Sequence, residues 1–108
     1  MKPISVRPIP VRTCAEPAYA EEDWKHSLLP LAGIAQDRRA FHIDTCVPPA
    51  YADAIAVDAF PSDIVVEGVR GGQIERFTRL HLPVPIDPGG VHALMRGIHL
   101  EIIAPKAA

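Results

Sequence analysis

Five histidines and two cysteines, Cys14 and Cys46, are the residues of this chain best suited to hold a metal. Their spacing argues against it. Zinc sites usually show cysteines paired as C-x2-4-C and histidines as H-x3-5-H, and neither pairing occurs here. His81, His92 and His99 are divided by turns and would converge only by accident of folding. Hydrolysis would need a serine beside a base and an orienting acid. Ser5, Ser27 and Ser62 fall in an extended arm, a helical stretch and a turn, and none sits in a nucleophile-elbow sequence. Asp44, Asp58 and Glu67 are strand carboxylates that could be neighbours, but outward-facing acids on strands are ordinarily solvated. His42 and His81 are expected to face solvent and titrate near neutrality without consequence. Gly71-Gly72 and Gly89-Gly90 lack the Lys-Ser/Thr of a phosphate loop. The expectation is a non-enzyme with no catalytic residue, no cofactor and no metal.

The elements that would position these side chains follow from composition and pattern. With 108 residues the chain makes one domain with a modest core. Its 48% hydrophobic and 22% charged residues are those of a folded globular protein. Twelve prolines exclude long helices, because each removes a backbone donor and fixes φ. A net charge of −2 gives no electrostatic footprint for nucleic acid or an anionic membrane. No apolar run reaches the roughly 18 residues of a membrane span. The first residues lack the apolar core of a secretory signal, so a cytoplasmic location is expected. Two cysteines without CxxC spacing suit small half-buried thiols there, although the sequence leaves a disulfide open.

Residues 1–16 look extended, with Pro3, Pro8, Pro10 and Pro17 biasing their neighbours toward β or polyproline geometry. The pattern from Pro17 to Leu29 predicts a short helix: Pro17 suits its first position, and Glu21, Glu22 and Asp23 favour its N-terminal end. Tyr19, Trp24 and Leu28 would share one face, and Pro30 stops the helix. Strands are expected over Leu31–Ala35, Ala40–Val47, Ala54–Phe60, Ile64–Val69, Ile74–Leu82, Val91–Arg96 and Leu100–Ala104. The second alternates cleanly, with Phe41, Ile43, Thr45 and Val47 on one side. Gly71-Gly72 marks a tight turn, and the three prolines and two glycines of Pro83–Gly90 require a structured loop. Short strands broken by such turns predict an all-β, immunoglobulin-like sandwich. Residues 1–30 form its N-terminal arm with one short helix, and 31–106 the sandwich.

The order of landmarks resembles the α-crystallin domain of the small heat-shock proteins. Val47-Pro48-Pro49 matches that family's Leu-Pro-Gly, with Pro49 in place of glycine. Asp53-Ala54-Ile55-Ala56-Val57 matches an Asp-x-Ile-x-Val step, Val65-Val66-Glu67-Gly68 a strand ending in Gly, and Leu82-Pro83 the Leu-Pro signature. Ala93 and Leu100 keep the spacing of Ala-x-x-x-x-Gly-Val-Leu, with Gly97 one residue early and Ile98 in the glycine's place, and Pro105-Lys106 completes the series. Gln36 stands where an acid is common. The family's functional arginine corresponds to Arg76 or Arg79, and both remain open.

The resemblance implies a peptide groove between two strands, one carrying Ile55 and Val57, the other Val91, Ala93 and Met95. In the family such a groove accepts an Ile-x-Ile/Val segment by β-strand addition, the side chains two residues apart filling neighbouring pockets. The segment usually lies in a C-terminal tail; here Ile9-Pro10-Val11 is expected to take that role, within or between chains. Arg70-Gly71-Gly72-Gln73 is too short to carry a swapped strand, so any dimer is expected through the edge holding Arg76, Thr78 and Arg79. Tyr19, Trp24 and Leu28 either pack on the sandwich or serve as a client-binding arm. The implied function is that of an ATP-independent holdase for partly unfolded proteins, working as a dimer or small oligomer. The alternative is a dedicated protein-binding module of the CS-domain co-chaperone type.

Overall fold

The computed structural model describes residues 6–14, 31–47, 49, 54–70 and 72–107. The helix expected over 17–29, with Tyr19, Trp24, Leu28 and Ser27, lies outside them. Nine strands are described: β1 (Val6–Pro8), β2 (Val11–Thr13), β3 (Leu31–Gln36), β4 (Ala40–Cys46), β5 (Ile55–Ala59), β6 (Asp63–Arg70), β7 (Gln73–His81), β8 (His92–Arg96) and β9 (His99–Pro105). They form two sheets, one ordered β1-β8-β9-β4-β3 and the other β2-β5-β6-β7. The molecule is a β-sandwich, and β3 to β9 fall within one or two residues of the expected strands.

Period-two alternation builds the core. Phe41, Ile43, Thr45 and Val47 are buried from the first sheet, with Leu100, Ile102 and Ala104 beside them on β9. Ile55, Val57, Ile64, Val66 and Phe77 face them from the second sheet. The β4–β9 pairing runs without interruption from Ala40↔Pro105 to Cys46↔His99, the central antiparallel ladder of the first sheet. In the second sheet a bulge between Val66 and Glu67 shifts the β6–β7 register, adding the extra residue that re-aims a strand locally.

Turn chemistry closes the strands. Two residues separate β6 from β7, and Gly72 takes φ +80°, a left-handed conformation that glycine adopts without penalty. Gly97 does the same between β8 and β9 at φ +61°. The 83–90 loop is ordered as expected. Its Ile86 is buried and donates its N–H to the Pro61 carbonyl (2.8 Å), and Asp87 caps the single 3-10 turn Pro88–Gly90 by accepting from Gly89 N–H.

Residues 6–13 add a strand to each sheet. β1 runs antiparallel to β8 (Val6↔Arg96, Arg7↔Met95, Pro8↔Leu94), and β2 runs parallel to β5 (Val11↔Val57, Arg12↔Asp58, Thr13↔Ala59). The chain therefore changes sheet at Ile9-Pro10. Proline lacks an N–H and is tolerated at a sheet edge, so Pro8 and Pro10 punctuate two short pairings rather than one long one.

Candidate functional site

The change of sheet happens over the cleft between the β5 and β8 edges. Ile9 N–H donates to the Ala93 carbonyl on β8 (2.9 Å), and Val57 N–H on β5 donates to the Pro10 carbonyl (3.0 Å). Two consecutive residues thus bond the two facing sheets. Cys14 N–H then donates to the Ala59 carbonyl (2.8 Å) and closes the parallel pairing. Ile9 is only 6% exposed and belongs to the same apolar cluster as Ile55, Val57, Val91, Ala93 and Met95, while Val11 is half-buried against it. The five residues assigned to a groove and the two assigned to its filling are in one place. In the single chain the cleft is occupied by the chain's own arm.

An ionic site adjoins this apolar one. Strand alternation turns Val57 inward and Asp58 outward, and likewise Val11 inward and Arg12 outward. Arg12 Nε and Nη2 donate to the two Asp58 oxygens (2.6 and 3.0 Å), and Nη2 also reaches Glu67 Oε1 on β6. The Asp58 side chain is 0% exposed and that of Glu67 3%, against 57% for Arg12. The expectation that these acids are solvated is therefore corrected. Both lie where the outer face of the second sheet is itself covered, beside buried Val65 and under the Arg12 side chain. Burial, then the neighbouring Asp58 that a protonated Glu67 can hydrogen-bond, pushes the Glu67 carboxyl up to about 7, with Arg12 opposing the shift. Asp58, through its hydrogen bond and then its charge, raises the Arg12 guanidinium in turn. Arg76 is the register partner of Glu67 across the bulge.

Asp44, the third acid of that expectation, lies on the other sheet. It faces Glu101 in register, and His99 Nε2 lies 3.2 Å from its Oδ1, while Arg96 Nε donates to Glu101 (3.3 Å). The ligand atoms of Asp44, His99 and Glu101 come within 4.8 Å of one another, with Cys46 Sγ 4.0 Å from His99 Nδ1. Sequence spacing hid this grouping, since it is cross-strand pairing that makes it; His81 belongs to the opposite sheet. The ion pairs account for the arrangement. A depression of about 190 Å³ on the same outer face is lined by His42, Asp44, His92, Leu94, Glu101 and Ile103, away from the cleft.

The two histidines expected to face solvent are paired: half-buried His42 meets Asp37 through Nε2 (2.9 Å), and exposed His81 meets Asp63 through Nδ1 (2.9 Å). Both arginine candidates lie on β7, where Arg79 donates to Asp63 at 3.3 Å. Among the described strands that one ends its sheet, as β3 ends the other, and each carries an exposed isoleucine, Ile74 and Ile34. Thr78 sits on the same edge strand, opposite Val66. Both cysteines are free, half-buried thiols. No helix among the described residues is long and apolar enough to cross a membrane.

No protein-family model matches the sequence, and no curated protein matches it. Solved structures do resemble the fold. Heat shock protein 16.0 from Schizosaccharomyces pombe superposes with a TM-score of 0.59 at 12% identity, over 73% of this chain and 86% of that one. Stress-induced protein 1 from Caenorhabditis elegans gives 0.51 at 16% identity, over 76% and 68%. At such identities the likeness concerns architecture, and it agrees with the landmarks read along the sequence: the chain has an α-crystallin-like β-sandwich fold, that of the small heat-shock proteins.

Proposed function

We propose that this protein is an ATP-independent holdase that binds extended segments of partly unfolded proteins by β-strand addition, with residues 6–13 as a resident occupant that incoming segments replace. The observation carrying this reading is the arm's double pairing. Ile9 and Pro10 bond the backbones of β8 and β5 within two residues while Ile9 fills the space between the sheets. A cleft that holds one extended β-branched segment through backbone bonds supplies what is needed to hold another, because main-chain pairing is indifferent to most side chains. Ile74 and Ile34 on the edge strands add exposed apolar surface. Self-association runs through β7, the last described strand of its sheet, which would pair with the same strand of a second copy.

The test is aggregation of a heat-labile client, followed by light scattering. Suppression near stoichiometric amounts, increased by Ile9→Ala, supports the holdase. A second reading draws on the same occupied cleft: a chain that fills its own site suits a dedicated binding module of the CS-domain co-chaperone type, acting through its outer faces. No suppression by either the unaltered chain or Ile9→Ala refutes the holdase and favours that module.

A further inference from the structure

The buried acids of the second sheet differ in who neutralises them. Asp63 is met by Arg79 and His81, both supplied by the neighbouring strand β7 of the same scaffold. Asp58 and Glu67 receive the guanidinium of Arg12, which comes from the arm. The acids stand on β5 and β6, held by the continuous β5–β6 pairing, whereas Arg12 stands on a three-residue strand and is half in solvent. Pocket and cation therefore belong to separable parts of the molecule.

The chemistry is selective. A planar fork meets both oxygens of Asp58 and still reaches Glu67, whereas an ammonium would act as a single point charge and a neutral side chain would make none of these charged bonds. The position is selective too. Parallel pairing places Arg12 opposite Asp58 only while Val11 is opposite Val57. A slip of one residue would turn the arginine toward the apolar cluster and the valine toward the acids.

We infer that Asp58 and Glu67 form a guanidinium-binding subsite beside the cleft. With it the cleft selects segments in which an arginine directly follows the second of two β-branched residues spaced by one. The occupant is the 6–13 segment of this chain, from the same copy or exchanged from a second. This rests on the proposal that the cleft accepts added strands, and it adds the side chain by which the cleft favours its own arm over other strands.

The test uses the full-length Ile9→Ala chain, whose own arm is loosened, and synthetic peptides of residues 6–13 titrated against it by NMR at the Val57 and Ala93 amides. The native peptide is compared with one carrying citrulline in place of Arg12, which keeps shape and removes charge. The citrulline peptide should bind about 10- to 100-fold more weakly, the worth of hydrogen bonds to a charged group, and Asp58→Asn with Glu67→Gln should abolish the gap. Equal binding of the two peptides overturns the subsite while leaving strand addition standing. If neither binds, strand addition in trans fails, and the subsite is decided in the unaltered arm. There Arg12→Ala must speed Val57 amide exchange at least tenfold, and an unchanged rate overturns it.

Discussion

Truncating Ile9 to alanine should release the arm while leaving the sandwich folded. Ile9 is almost fully buried between the sheets and is the arm's member of the core cluster. Isoleucine-to-alanine changes in cores cost about 2–5 kcal/mol. The lower part of that range, about 2–3 kcal/mol, applies here, because Ile9 sits at the mouth of a cleft whose rim can close or admit water. At about 1.4 kcal/mol per tenfold, the arm-open population rises roughly 30- to 140-fold. The reporter is Val57 N–H, whose acceptor is the Pro10 carbonyl of the arm. Its hydrogen exchange should accelerate by that factor, while amides of the central β4–β9 ladder keep the protection set by global unfolding. If Val57 and the β4–β9 amides accelerate together by one factor, the arm is a part of the core that opens only on unfolding, and the idea of a replaceable occupant is refuted. An unchanged Val57 rate would show that Ile9 does not hold the arm at all.

Four further outcomes are expected. Glu67 titrates near 7 in the folded chain instead of at its usual 4.5, so the native state holds more protons than the unfolded one between those values. Stability therefore falls as pH rises through that window, and Glu67→Gln should flatten this limb of the urea midpoint against pH. Asp37 has the opposite sign: His42 and two backbone N–H groups lower it to about 2, so its contribution is full above 3.8 and disappears as pH falls through 2. Ile74, 52% exposed on the β7 edge, should tolerate lysine with a stability change within about 0.5 kcal/mol, and light scattering should show Ile74→Lys halving the native mass; an unchanged mass would place self-association elsewhere. Gly97→Ala meets no atom within 4 Å but keeps φ at +61°, so it should cost about 1–2 kcal/mol from the backbone alone, with Gly97→Asn costing less by thermal melt.

Strand alternation made most of the sandwich readable. A residue such as Thr45, polar yet fully buried, was placed on the inner face because Phe41, Ile43 and Val47 share its parity. The arm was harder. Spacing singles out Ile9 and Val11, but three-residue strands between prolines carry no alternation that says which sheet each joins. Nothing in the triplet shows that pairing switches from antiparallel to parallel at Pro10. The acids were misread for a related reason. An outward parity normally means solvent, and Asp58 and Glu67 have outward parity; only the arm's pairing register puts Arg12 over them. The usable signal was an arginine directly after a β-branched pair, with acids in outward positions on two adjacent strands. The Asp44–His99–Glu101 grouping escaped because its members are neighbours only across the β4–β9 ladder.

The pairing of Arg12 with two buried acids makes more sense as a device for register than as a source of stability. Removing two carboxylates from water carries a penalty that the half-exposed Arg12 guanidinium offsets only in part, in keeping with the Glu67 carboxyl being pushed up by burial while Arg12 opposes the shift. An apolar trio at these positions would hold the arm at least as tightly, and would hold it in more than one alignment. Ionic groups penalise misalignment steeply, since a displaced arm gives up the bonds of Arg12 to both acids. The arrangement also sets a limit on tightness. Ile9 supplies apolar burial and two backbone bonds anchor the crossing, but β1 and β2 have three residues each and lie at sheet edges. An occupant held in one register by charge, and only modestly by area, is well placed to be exchanged for another strand that satisfies the same acids.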